Sequence, residues 1–160
     1  MTSFGLIIRW IHILAGAAWL GAVVMVVFVL VPSVQRLEEP DRGRMAAVVF
    51  PRVFRLASVL SVTVVAAGVA LYLERFGWRL ELRPLVSSRW GWSILIGGSL
   101  AVILTVFHFV AEGRLAPLVR RATDSPIERR VLTVLRIAPR VGLGILVTTT
   151  ILMAYAARGL

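Results

Sequence analysis

The chain has no cysteine and no lysine, only two histidines, and eight acidic residues in 160. Without cysteine there are no disulfides, no thiolate metal sites and no thiol redox chemistry. With lysine absent, all eighteen basic residues are arginine, and the net charge is +10. An isoelectric point near 11.8 lies in the range of nucleic-acid binders. Here, however, the arginines flank apolar runs instead of lining one polar face. That placement describes a collar facing lipid headgroups, not a nucleic-acid surface. What the chain has in excess is apolar side chains, at 59% of residues against roughly 45–50% in soluble domains. The mean hydropathy is +0.89, and the excess is gathered in blocks. At this length the chain is a single domain, and its solvent is the bilayer.

A hydrocarbon core about 30 Å thick takes about 20 apolar residues in a helix. Four segments qualify, at about residues 7–31, 56–73, 91–111 and 141–157, which gives an all-α, four-transmembrane-helix bundle. The first is interrupted by Arg9 and His12 and is expected to end at Pro32. The second and fourth are short and are expected to extend backward through Pro51-Arg52 and Pro139-Arg140. The residues before the first run carry no side-chain cation, and the run is too long for a signal-peptide core, so it reads as a retained span. Residues 74–90 form the long connection, with Pro84 and Ser87-Ser88 breaking any long element and leaving room for a short interfacial helix.

Twelve arginines lie on the side of the first and third connections, and six (Arg9, Arg75, Arg79, Arg83, Arg89 and Arg158) on the other. The positive-inside rule then places both termini outside. Aromatics agree that the arginine-poor side is a distinct interface, with Trp10, Tyr72, Trp78, Trp90, Trp92 and Tyr155 at that level. The two halves also resemble one another. Pro32, Pro40 and Pro51-Arg52-Val53 match Pro117, Pro126 and Pro139-Arg140-Val141, which reads as two parallel helix-loop-helix repeats. Similarity among Arg/Val/Pro-rich stretches is the rival explanation.

Both histidines fall inside spans. An ionisable residue there is a candidate functional group, and imidazole is a common metal ligand; the alternative is an interhelical hydrogen bond. His12 shares a helical face with Gly16 and Trp19. A glycine beside a histidine leaves a flat space for a planar group, or else simply permits close helix packing. This face favours the ligand role for His12, whereas interhelical bonding is favoured for His108. Glu112, one turn beyond His108, would either orient that imidazole or pair with Arg114 or Arg136, the second being slightly preferred. Counting from the span centres puts the two imidazoles about 20 Å apart along the membrane normal, too far to share one iron. Met153 in the outer half and Met25 in the inner half are candidate second ligands, although methionine as plain packing is the commoner role. Arg52 with Arg55, and Arg136 with Arg140, stack along helix faces where guanidinium forks would grip a haem propionate or, more commonly, a lipid phosphate.

At these residues the chain resembles a known family. Arg9-Trp10-Ile11-His12 through Ala18-Trp19-Leu20-Gly21, Arg52-Val53-Phe54-Arg55-Leu56-Ala57, Gly68, Ser88-Arg89-Trp90-Gly91-Trp92 and Gly113-Arg114-Leu115-Ala116-Pro117 resemble the copper-resistance D (CopD) family of multi-helix membrane proteins. The first-helix histidine, the mid-helix tryptophan and the later proline also resemble HemJ-type protoporphyrinogen oxidases, in which a first-helix histidine is associated with haem b. The resemblance implies a redox-metal membrane protein. Haem b would be bound through His12, with Arg9, Gly16 and Trp19 around it, Arg9 or Arg79 on a propionate and Met153 as a sixth ligand. Copper transport or tolerance, with His12, His108 and Met153 as ligands, is the alternative, and a cofactor-free subunit of a membrane complex is the third reading. The expected partners are the lipid bilayer and a second copy or a redox protein, in a bacterial or archaeal cytoplasmic membrane. Three features depart from the pattern: the methionine and histidine enrichment of a copper conduit, the lysine near the first helix of the HemJ type, and the asparagine whose place is taken by Glu112-Gly113.

Overall fold

The computed structural model describes residues 3–121 and 129–158. Helix α1 (Ser3–Met25) runs through a π-turn (Val26–Leu30) into α2 (Val31–Arg36), so the first span is one continuous helix of 34 residues. The second span is α3 (Asp41–Arg75), followed by the short α4 (Arg83–Ser87); α5 (Arg89–Arg121) and α6 (Arg129–Ala157) are the third and fourth. All four are long and apolar enough to cross a membrane, and no strand occurs among the described residues. The protein is an all-α integral membrane protein built on four membrane-spanning helices.

The helices run well past the expected bounds. Pro32 does not end the first span, because the π-turn absorbs it. Proline has no N–H and its ring clashes with the carbonyl four residues back. Directly before it the helix switches to i→i+5 bonding, with the Val31 N–H donating to the Val26 carbonyl. The expected arginine-rich loop shrinks to residues 37–40, and Arg42 closes that turn by donating from Nε and a terminal nitrogen to the Leu37 carbonyl at 2.9 and 2.7 Å. As expected, the second and fourth spans run backward through Pro51 and Pro139. The third continues through Pro117 to Arg121, ten residues further than the apolar run. Pro32 stands four residues before the end of its span at Arg36, and Pro51 ten residues after the start of its helix at Asp41; the bounds beside Pro117 and Pro139 lie at the edge of the described residues. The Pro40–Pro126 match falls partly outside the described residues.

In sequence order each span packs on the next, while the first and fourth meet sparingly. In lipid, apolar surface gains little by burial, so helices associate through close packing and small residues. The interior shows this. Ala15, Ala46, Ala57, Ala67, Ala101, Ser61 and Ser93 are buried, while Phe28, Ile103 and Ile151 face outward. Two clusters hold the bundle. One surrounds Trp19 at mid-bundle with Ala57, Leu104 and Leu146. The other joins the arginine-rich ends, where the π-turn and α2 meet Ala46 and Phe50 of α3, Leu115 and Val119 of α5, and Val131 and Leu135 of α6. Several hydroxyls inside the spans bond back one turn, as Thr63 does to Val59, Thr105 to Ala101 and Thr150 to Leu146, which satisfies those donors within the helix. At the opposite end Tyr72, Phe76 and Trp90 form an aromatic cluster with the Arg75 guanidinium 4.7 Å over the Trp90 ring.

Candidate functional site

His12 sits on the seam between α1 and α3. Its Nδ1 lies 2.8 Å from the Val64 carbonyl. A carbonyl only accepts, so Nδ1 carries the hydrogen, and in the neutral ring Nε2 keeps its lone pair. The imidazole approaches this closely because residue 68 is glycine. A Cβ there would stand 3.0 Å from His12 Cε1. The Val64 carbonyl is also the helical acceptor for the Gly68 N–H, so the ring is docked on one turn of α3 by one hydrogen bond and one missing side chain.

The rest of the expected face is turned to the same helix. Gly16, one turn on, looks at Val64, whose Cγ2 would lie 3.9 Å from an added Cβ. The flat space expected beside His12 is thus filled by Val64 at ordinary contact distance. Trp19 is 2% exposed and belongs to the mid-bundle core, so its place is that of a packing residue. Arg9 is exposed. Met153 is seated against Gly97, with its Cε 2.7 Å from where a Cβ would be. That is the α5–α6 seam, whereas His12 is on the α1–α3 seam. Met25 is exposed at the end of α1.

The second histidine builds a different site on the same helix. His108 Nε2 stands 3.1 Å from the Phe54 carbonyl, 3.0 Å from Ser58 Oγ and 3.8 Å from Glu112 Oε2. Ser58 donates its single hydrogen to Glu112 Oε2 at 2.6 Å. Its oxygen is therefore an acceptor toward the imidazole, and the Nε2–H is shared between Ser58 Oγ and the Phe54 carbonyl. Glu112 accordingly turns to Ser58 and His108, in place of the slightly preferred pairing with Arg114 or Arg136. Phe54 and Phe109 stand edge-on to the ring. Nothing in the sequence singled out Ser58, since a serine within a span usually bonds its own helix.

Helix α3 thus receives both imidazoles, at Val64/Gly68 and at Phe54/Ser58. The two levels are ten residues apart, about 15 Å at 1.5 Å per residue, which is somewhat less than expected but still two separate sites. Among the described residues no group of three or more histidine, cysteine or acidic side chains could hold a metal ion.

Two arginines beside helical prolines bond back along their own helices. Arg52 donates to the Val48 carbonyl at 2.6 Å and Arg140 to the Arg136 carbonyl at 2.6 Å. Each arginine follows a helical proline and bonds the carbonyl four residues before itself, one position beyond the carbonyl that the proline leaves without a backbone donor. Beside the first of these, Ala47, Val48, Pro51, Arg52, Arg55, Leu56, Val59 and Arg120 line an open groove of about 690 Å³.

A family model matches residues 14–123, which is 110 of the 160. The chain belongs to the family described as domain of unknown function DUF4149. No curated protein and no solved structure matches it significantly. The stretch matched to DUF4149 contains Ser58, Val64, Gly68, His108 and Glu112. It begins two residues after His12 and ends before the fourth span.

Proposed function

We propose that this DUF4149 chain is a CopD-like membrane protein that binds haem b through His12. The reading rests on one observation. Nδ1 of His12 is committed to the Val64 carbonyl, which fixes the ring and leaves Nε2 as the lone pair, an arrangement that suits a metal-ligating imidazole. Haem is favoured over copper by the number of donors required. The macrocycle brings its own four nitrogens, so a single histidine suffices, whereas a protein copper site draws on several convergent side chains. Haem, when bound, would supply one-electron redox chemistry. The chain's own contribution would be to hold the imidazole against α3, exclude water from it and set its tautomer. Arg9, one turn away on the same helix, would be the residue to hold a propionate. The arginine-rich helix ends would face the cytoplasm, with both termini outside.

A cofactor-free structural role is favoured by the same hydrogen bonds read differently, since both imidazoles donate to carbonyls of α3 and thereby tie the spans together. The visible spectrum of detergent-purified protein, produced with haem and copper available, separates the readings. Haem binding gives a Soret band that is lost in His12→Ala and kept in His108→Ala at matched folding. Full haem occupancy in His12→Ala overturns the assignment. Stoichiometric copper without a Soret band would favour metal transport, and neither signal would favour the structural role.

A further inference from the structure

The groove beside Pro51 has walls of two kinds. On α3, Val48, Arg52, Arg55 and Val59 recur at intervals of four, three and four residues and so share one face. Arg120 reaches the same groove from the far end of α5. Three guanidiniums therefore border one apolar trough, and Leu56 and Val59 continue it one turn deeper into the span. One N–H of Arg52 is fixed on the Val48 carbonyl, which holds that guanidinium at the level of the rim, and the remaining donors of a guanidinium suit phosphate oxygens. A second hollow of about 450 Å³, lined by Glu112, Gly113, Ala116, Pro117, Arg120 and Arg121, adjoins the first at Arg120.

We propose that this groove is a binding site for an anionic phospholipid, with its phosphate held by Arg52, Arg55 and Arg120 and one acyl chain laid along Leu56 and Val59. Charge complementarity selects the headgroup, because the walls bring three positive charges and no carboxylate into the groove. Depth selects a lipid over a free anion, because the cationic rim continues into an apolar wall within the span. Basic pockets on the cytoplasmic side of membrane helices recognise anionic headgroups in this way. The assignment is independent of haem, since the groove lies at the Phe54/Ser58 level of α3 and not at His12.

The test is lipid retention by the full chain, purified in mild detergent, exchanged into micelles doped with either phosphatidylglycerol or phosphatidylcholine, and read by native mass spectrometry. One phosphatidylglycerol per chain is expected to survive, with phosphatidylcholine retained at least ten-fold less. Arg55→Ala with Arg120→Ala is expected to lower phosphatidylglycerol retention ten-fold or more, and Arg55→Gln alone covers the case in which the double variant does not fold. Arg140→Ala removes the same charge and the same kind of backbone bond from α6, outside the groove, and should leave retention unchanged. Val59→Trp should block the lipid and leave any binding of inorganic phosphate intact. Equal loss in Arg140→Ala and in the groove variants would reduce the site to a general cationic collar and overturn the proposal. Equal retention of both lipids, or phosphate binding without lipid, would overturn it as well.

Discussion

At the scale of single residues, the close meeting of the first two spans turns on an atom that is absent. A Cβ at residue 68 would stand 3.0 Å from His12 Cε1, closer than nearly all packed Cβ atoms approach a neighbour, and the ring cannot swing freely because its Nδ1 is held by Val64. Gly68→Ala is therefore expected to lower stability by about 1–3 kcal/mol, the usual range for overpacking, and to weaken the His12–Val64 bond. Gly21→Ala is the matched control, since nothing lies within 4 Å of the position a Cβ would take there. It should be neutral or slightly stabilising. Thermal unfolding in detergent reads both, and a Gly68→Ala protein as stable as Gly21→Ala would show that the ring is not pinned. The histidines were legible in the sequence as a residue type in the wrong solvent. Their partners were not. A backbone carbonyl such as that of Val64 or Phe54 exists at every position, so only the seam between two helices reveals which one is used. Ser58 was silent for the same reason, and so were the residues that face Gly16 and Met153, which are Val64 and Gly97.

At the scale of elements, the apolar runs located every span and underestimated each, because hydropathy ends where arginine begins while the helix does not. Arginine is a good helix former, and the bilayer's headgroup region tolerates it, so α5 runs on through Arg114, Pro117 and Arg121. The prolines were readable as punctuation but not as interior residues. At Pro32 the cost is met locally, by a π-turn directly before it. The short helix anticipated between residues 74 and 90 forms as α4, and its docking depends on Gly91. A Cβ on Gly91 would meet the Pro84 carbonyl and come 2.6 Å from Leu85 Cα. Both obstacles are backbone, so no side chain can swing aside, and α4 itself must move. Gly91→Ala is expected to detach α4 from α5, with a loss of about 1–3 kcal/mol and faster hydrogen exchange confined to the residues around 83–88. Exchange unchanged in that segment would mean that α4 is not seated on Gly91.

At the scale of the whole molecule, the four spans alternate in direction, so the ends of the first and third and the starts of the second and fourth lie together. That end carries twelve of the eighteen arginines, and the core around Phe50 and Val119 joins all four spans there. The opposite end has six arginines and the aromatic cluster of Tyr72, Phe76 and Trp90. Aromatic belts form at both faces of a membrane, but the arginine bias is read on one face only, as the side retained in the cytoplasm. Acidic residues also gather near the arginine-rich end, among them Glu38, Glu39 and Asp41. They do not cancel the bias, because the rule counts cations near span ends and not net charge. Both termini are therefore expected outside the cytoplasm, as an even number of spans requires once one is. Fusing to each terminus a reporter active only in the cytoplasm, and separately one active only after export, tests this directly. Export-dependent activity at both ends is the expected result. Cytoplasmic activity at both would invert the protein and place His12 near the cytoplasmic face. Replacing Arg36, Arg42, Arg44, Arg120 and Arg121 together by glutamine cuts the twelve to seven against six, and should then yield a population of mixed orientation. A fusion pattern unmoved by that change would show that arginine bias does not set the topology.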